Sequence, residues 1–151
     1  MQTGNEKYIE LYNLHLFNLN VLNKEQTLIE KLVSLIRFSF DENPIDSISS
    51  KIRHFYDLYY LLKNSECTEF LESDEFKVKF DIVLQQDRKM FDYPIGWQNK
   101  SIEESPLINN FEKIWVKLKV KYQTELSALA FRIIPNEAKV AKTFIELIKR
   151  I

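Results

Sequence analysis

Apolar residues along most of this chain recur at spacings of three and four, the period of helices that bury one face. Leu28, Leu32, Leu35 and Ile36 form such a stripe and predict a first helix from about Asn23 to Phe40. Asn23 stands where an N-cap belongs, and Gln26 three residues later completes a capping box; Thr27 with Glu30 offers a second one. The run Asp41-Glu42-Asn43-Pro44 breaks the pattern. A second helix, capped by Ser47 or Ser49, is predicted to about Lys63, with Ile52, Phe55, Tyr56, Tyr59 and Leu62 facing one way. Cys67 to Leu71 adds a short helix. Ser73 caps the next, which runs to about Phe91 with Phe76, Phe80, Val83 and Leu84 inward. Residues 92–105 read as an irregular surface loop anchored by Trp97, with Pro94, Gly96 and Pro106 as punctuation. A long helix follows over about 107–131, carrying Phe111, Ile114, Trp115, Leu118, Tyr122 and Leu126. Pro135-Asn136 opens the last helix, with Val140, Phe144, Leu147 and Ile148 on its apolar face.

Residues 8–22 have a different period. Phe17, Leu19 and Val21 alternate with Asn18 and Asn20, which predicts a strand with one buried face. A single strand is not stable alone. It must pair with a run such as 7–12, with another chain, or with a partner domain. The expected fold class is therefore mainly α: one helical, bundle-like domain over residues 1–151. Its 1–22 segment holds a short N-terminal strand or strand pair, and helices fill 23–151.

Composition narrows the functions available. Two glycines occur, Gly4 and Gly96, so no phosphate-cradling loop, dinucleotide fingerprint or Gly-Ser turn exists in these residues. Two histidines and the single Cys67 cannot build a zinc cage or an internal disulfide, and a reducing cytoplasm is the expected compartment. No apolar stretch nears the roughly 20 residues that span a bilayer, and no secretory leader is recognisable. The net charge of −1 sets up no global field towards nucleic acid or membrane. The charge is uneven, with four basic and seven acidic residues in 1–50 but nine and six in 101–151.

The run Lys51-Ile-Arg-His-Phe-Tyr-Asp57-Leu-Tyr concentrates the candidate chemistry. Arg53 and Asp57, four apart on a helix, are neighbours together with Tyr60. They are either a structural ion pair that fixes helix packing, the commoner cause of such spacing, or a working site. In the second case Asp57 positions a metal or polarises a nucleophile, and Arg53 holds it or contacts phosphate. Lys31 on the preceding helix either snorkels to solvent or offers a fixed cation to a triphosphate. Glu30 reads as a capping or solvated residue, His54 as an orienting contact for Asp57, and His15 as incidental. Phe55, Tyr56, Tyr59 and Tyr60 read as core before base-stacking platform. Lys113, Lys117 and Lys121 form a stripe that is either a solvated face or an RNA backbone contact.

Thr27-Leu-Ile-Glu-Lys31-Leu followed by Lys51-Ile-Arg-His-Phe-Tyr-Asp57-Leu-Tyr resembles the downstream motifs of AbiEii/AbiGii-type nucleotidyltransferases, bacterial abortive-infection and type IV toxin–antitoxin toxins. Phe17-Asn-Leu-Asn-Val-Leu looks like the strand before the family's lysine motif, and the likeness runs from about Tyr12 through the final helix. The resemblance implies a polymerase-β-like enzyme with a helical C-terminal half, which binds Mg²⁺ and a nucleoside triphosphate and in some members modifies tRNA. It assigns Lys31 to a triphosphate contact, Asp57 to the essential aspartate of the fourth motif, and Arg53 to that motif's arginine. The family's first motif, a Gly-Ser followed by paired metal-holding aspartates, is missing. The chain is thus expected to be the C-terminal half of such a toxin, truncated, separately encoded or excised. It would have little or no activity alone and no metal site of its own. Its expected partners are a cognate antitoxin or the missing catalytic half, with tRNA and a dimer through the N-terminal strand also in view. The alternative is a non-enzymatic interaction module that uses the exposed strand edge, with Arg53 and Asp57 purely structural. A third reading, an RNA-binding helical domain, rests on the lysine stripe.

Overall fold

The computed structural model describes residues 23–129 and 133–151. The elements are α1 (Lys24–Phe38), α2 (Pro44–Ser49), α3 (Arg53–Leu61), α4 (Ser65–Glu72), α5 (Asp74–Met90), α6 (Pro106–Asn109), α7 (Phe111–Leu129) and α8 (Glu137–Ile148). Two 3₁₀ turns, Trp97–Asn99 and Ile102–Glu104, lie between α5 and α6.

The centre of the fold is α1. Its Leu28, Ile29, Leu32, Val33, Leu35 and Ile36 have no exposed surface. A stripe this wide serves several neighbours at once, and α1 packs against α2, α3, α4, α5 and α6. Burying each of these side chains is worth on the order of 2 kcal/mol. Asn23 caps the helix by accepting the Gln26 amide at 2.7 Å. Gln26 does not close the box: its side chain donates instead to Glu30 at 2.8 Å. A second layer forms where α3 packs on α8 and α8 on α7. Phe55 of α3 joins them, with ring centroids 5.2 Å from Trp115 and 4.9 Å from Phe144.

Several predicted boundaries shift for local reasons. Pro44 does not merely end α1; it occupies the first turn of α2, where its missing N–H costs nothing. The helix expected from Ser47 or Ser49 to Lys63 begins later, as α3 at Arg53, and a separate short α2 precedes it across a turn at Ser50–Ile52. Its buried face is Ile52, Phe55 and Leu58, with Tyr56, Tyr59 and Leu62 only partly covered. Likewise the expected 107–131 helix is divided at Asn110 into α6 and α7. Ser73 precedes α5 but its hydroxyl donates back to the Phe70 carbonyl at 2.7 Å, serving the end of α4. Trp97 does anchor the irregular loop: it is buried and its Nε1 donates to the Phe91 carbonyl at 2.8 Å.

The expected fold class needs one correction. Among the described residues every regular element is helical and there is no strand, so mainly α stands and the short N-terminal strand or strand pair does not. No strand among the described residues is available as a ladder partner, and a lone strand is not stable. The 8–22 run itself, with His15, lies outside the described residues. The exposed strand edge, and the β-augmentation and dimer contact built on it, lose their support.

Candidate functional site

Lys31 and Asp57 sit on the border of the core rather than inside it or clear of it. In α1, Leu28 and Leu32 are buried on either side of Lys31 in the helical stripe. In α3, Phe55 and Leu58 are buried and leave Asp57 on the flank. Packing of α1 against α3 then brings the two flanks together. Lys31 Nζ donates to Asp57 Oδ2 at 2.7 Å, and each side chain keeps 23% of its surface exposed. Arg53 approaches the other oxygen less closely, with Nε 4.0 Å from Asp57 Oδ1 and 61% of its side chain in solvent. The strong partner of Asp57 is thus the lysine across the helix interface, and the arginine four residues away is secondary.

His54 is half-buried beside this pair. No hydrogen bond joins it to Asp57, and its buried Nδ1 has no partner among the described residues. Burial is the main cause that lowers its pKa to about 4, helped by the Lys31 ammonium and opposed by Asp57. His54 is therefore neutral near pH 7 and does not orient Asp57, contrary to what the three-residue spacing suggested. Glu30 accepts from Gln26 and takes no part in the Lys31–Asp57 contact.

The pair opens onto a cavity of about 450 Å³ also lined by Thr27, Tyr60 and Leu61, with Lys24 and Asn64 at its edge. Lys24 is engaged by Glu66 at 2.9 Å. The Tyr60 hydroxyl donates to the Ile133 carbonyl at 3.0 Å. A second cavity, about 500 Å³, lies between α3, α4 and α8; Tyr59 lines it, but Lys31, Arg53 and Asp57 do not. Lys113, Lys117 and Lys121 are all exposed on α7, and Lys121 pairs with Glu125 at 3.2 Å.

The site's one carboxylate does not suit a divalent cation. Mg²⁺ takes several hard oxygen ligands. Asp57 offers two oxygens, both facing cations. Among the described residues no group of three or more His, Cys, Asp or Glu side chains is placed to hold a metal.

A buried charged pair was among those that escaped sequence reasoning. Arg37 of α1 is buried, 3.7 Å from Asp87 of α5, with its guanidinium 3.8 Å from the centre of the Phe91 ring and 5.0 Å from that of Phe38. Burial lowers the Arg37 pKa against the pull of Asp87, and burial raises that of Asp87 against the pull of Arg37. The available signal was an arginine at the end of a strongly apolar stripe. Its partner lies 50 residues away on α5, beyond any local spacing rule.

The site is a cross-helix lysine–aspartate pair lining a cavity in a helical fold. The chain belongs to the nucleotidyl transferase AbiEii toxin family of type IV toxin–antitoxin systems, whose family model matches residues 5–138. That span includes Lys31, Arg53, Asp57 and the cavity walls. No curated protein and no solved structure matches the chain. No described helix is long and apolar enough to cross a membrane.

Proposed function

We propose that this chain supplies the helical, nucleotide-facing part of an AbiEii nucleotidyl transferase, as a single helical domain. Lys31 is the contact for the triphosphate of a nucleoside triphosphate, Asp57 is an active-site carboxylate, and Arg53 is an auxiliary cation. The observation that carries this reading is the 2.7 Å Lys31–Asp57 pair on the rim of the 450 Å³ cavity. A lysine is a compact point charge suited to phosphate oxygens. Asp57 holds that charge at the cavity wall instead of letting it extend into water. An arriving phosphate exchanges for Asp57 as the partner of Lys31, which leaves the carboxylate with the looser Arg53 contact alone and facing the reacting groups.

The family's chemistry uses a divalent cation, but these residues do not fit one. Its ligands must come from residues other than those described here. The 151 residues contain no Gly-Ser, since Gly4 precedes Asn5 and Gly96 precedes Trp97. The reading therefore has the chain completed by a catalytic portion bearing that motif and its paired aspartates, and held in check by a cognate antitoxin. The single cysteine, Cys67, is buried and unbridged, which suits the cytoplasm.

Backbone NMR of the purified chain with millimolar nucleoside triphosphates tests the assignment. Shifts at Lys31 and Asp57 that vanish in Lys31→Met support it. Absence of any such shift with all four nucleotides overturns it. Metal-dependent transfer of nucleotide label to tRNA or protein by this chain alone would refute the dependence on a second catalytic portion.

A further inference from the structure

The cavity beside Lys31 and Asp57 has a mixed lining. The ammonium and carboxylate contribute charge, while Tyr60 and Leu61 contribute aromatic and aliphatic surface. Its volume falls within the usual range for small-molecule sites, roughly 300–1,000 Å³.

The Tyr60 ring is held in place from several sides. Tyr60 lies three residues from Asp57, on the same side of α3. Its hydroxyl is fixed by the Ile133 carbonyl at 3.0 Å. Tyr56 and Tyr59 meet it in edge-type arrangements, with centroids 4.8 and 5.4 Å away. A ring braced in this way loses little freedom when a ligand settles on it. The other two tyrosines of the cluster do not line this cavity, and Tyr59 faces the separate one with Lys63 and Arg150.

We infer that Tyr60 is the residue by which this site distinguishes a nucleotide from bare polyphosphate: its ring receives the flat heterocycle of a nucleotide whose phosphates meet Lys31. The inference rests on the nucleotide-facing reading of the site. Every base has a π-face, so stacking tolerates all four. Tyr60 therefore recognises that a base is present, not which base it is.

Isothermal titration calorimetry on the full chain tests this, with ATP, GTP, CTP and UTP set against inorganic tripolyphosphate. The wild type should bind the nucleotides more tightly than tripolyphosphate. Tyr60→Leu keeps apolar volume without a π-face. It should weaken nucleotides roughly tenfold, about 1.4 kcal/mol, and leave tripolyphosphate unchanged. The conservative Tyr60→Phe should restore nucleotide binding, since it loses only the bond to Ile133. An unchanged nucleotide affinity in Tyr60→Leu overturns the inference. So does an equal loss for tripolyphosphate, which would mark Tyr60 as a support of the fold. Tripolyphosphate binding that depends on Lys31, with no added affinity for nucleotides, overturns the role of Tyr60 and spares the wider reading. No binding of either ligand overturns both.

Discussion

Lys31 of α1 and Asp57 of α3, 26 residues apart in sequence, form a 2.7 Å ion pair that straddles the interface between their helices. Both are three-quarters covered, so the pair should be worth more than a surface bridge and less than a buried one. Asp57→Asn is expected to cost about 1–2 kcal/mol in urea unfolding, because it leaves the Lys31 ammonium part-buried beside a neutral amide. A double-mutant cycle with Lys31→Met should return a coupling of about 1 kcal/mol. Arg53→Gln should stay within about 0.5 kcal/mol, since most of that side chain is in water. A coupling indistinguishable from zero would mean that the contact does not help hold α1 to α3.

Arg37 and Asp87 should behave differently, because both are more deeply covered. Asp87→Ala strands the Arg37 guanidinium between aromatic rings and should cost about 3 kcal/mol. Replacing both at once, as Arg37→Met with Asp87→Leu, removes two desolvation penalties and should recover most of that loss. Urea denaturation of the two single variants and the double variant measures the difference. A double variant no more stable than Asp87→Ala would show that the charges make a contribution that packing cannot replace.

His54 sets a pH dependence whose sign is fixed by the direction of its shift. Its folded pKa lies at about 4 against an ordinary value of 6.5. Between those values the unfolded chain binds the proton and the folded chain does not, so stability falls as pH drops through that window. The full shift corresponds to about 3 kcal/mol as an upper figure. His54→Gln cannot titrate and should flatten the stability profile between pH 6.5 and 4. Chemical denaturation across that range, wild type against variant, provides the check; parallel profiles would contradict it.

The sequence made the site's components visible but not their pairing. Lys31 stood out as a cation in an apolar stripe and Asp57 as a carboxylate in an aromatic run. The i, i+4 rule pointed to Arg53 as the partner of Asp57, and that contact exists at 4.0 Å. The tighter contact depends on how α1 rotates against α3, which is decided by Leu28, Leu32, Phe55 and Leu58 together and by no local spacing. The breaks at Ser50–Ile52 and Asn110 were harder to place. Neither contains glycine or proline, the strongest local helix breakers. Trp97 was legible because a large indole in a polar loop has few outcomes other than anchorage.

That anchor supports a final prediction about the 91–105 loop. The Trp97 ring is buried, and its Nε1–H is bonded to the Phe91 carbonyl at 2.8 Å. Trp97→Phe keeps most of the packing and loses that bond, for an expected cost of about 1 kcal/mol plus a smaller packing loss. Trp97→Ala opens a cavity and should cost about 3–5 kcal/mol. Gly96 separates backbone from packing effects. Its φ of 80° lies in the left-handed region, yet a Cβ added there would meet nothing within 4 Å. Gly96→Ala should therefore cost only the backbone strain, about 1–2 kcal/mol. Thermal melts with amide exchange across residues 91–105 read out all three variants. Gly96→Ala should speed exchange locally while Trp97→Ala loosens the adjoining end of α5 as well. A Trp97→Ala variant as stable as Trp97→Phe would mean that the loop is held by its other contacts and the indole is dispensable.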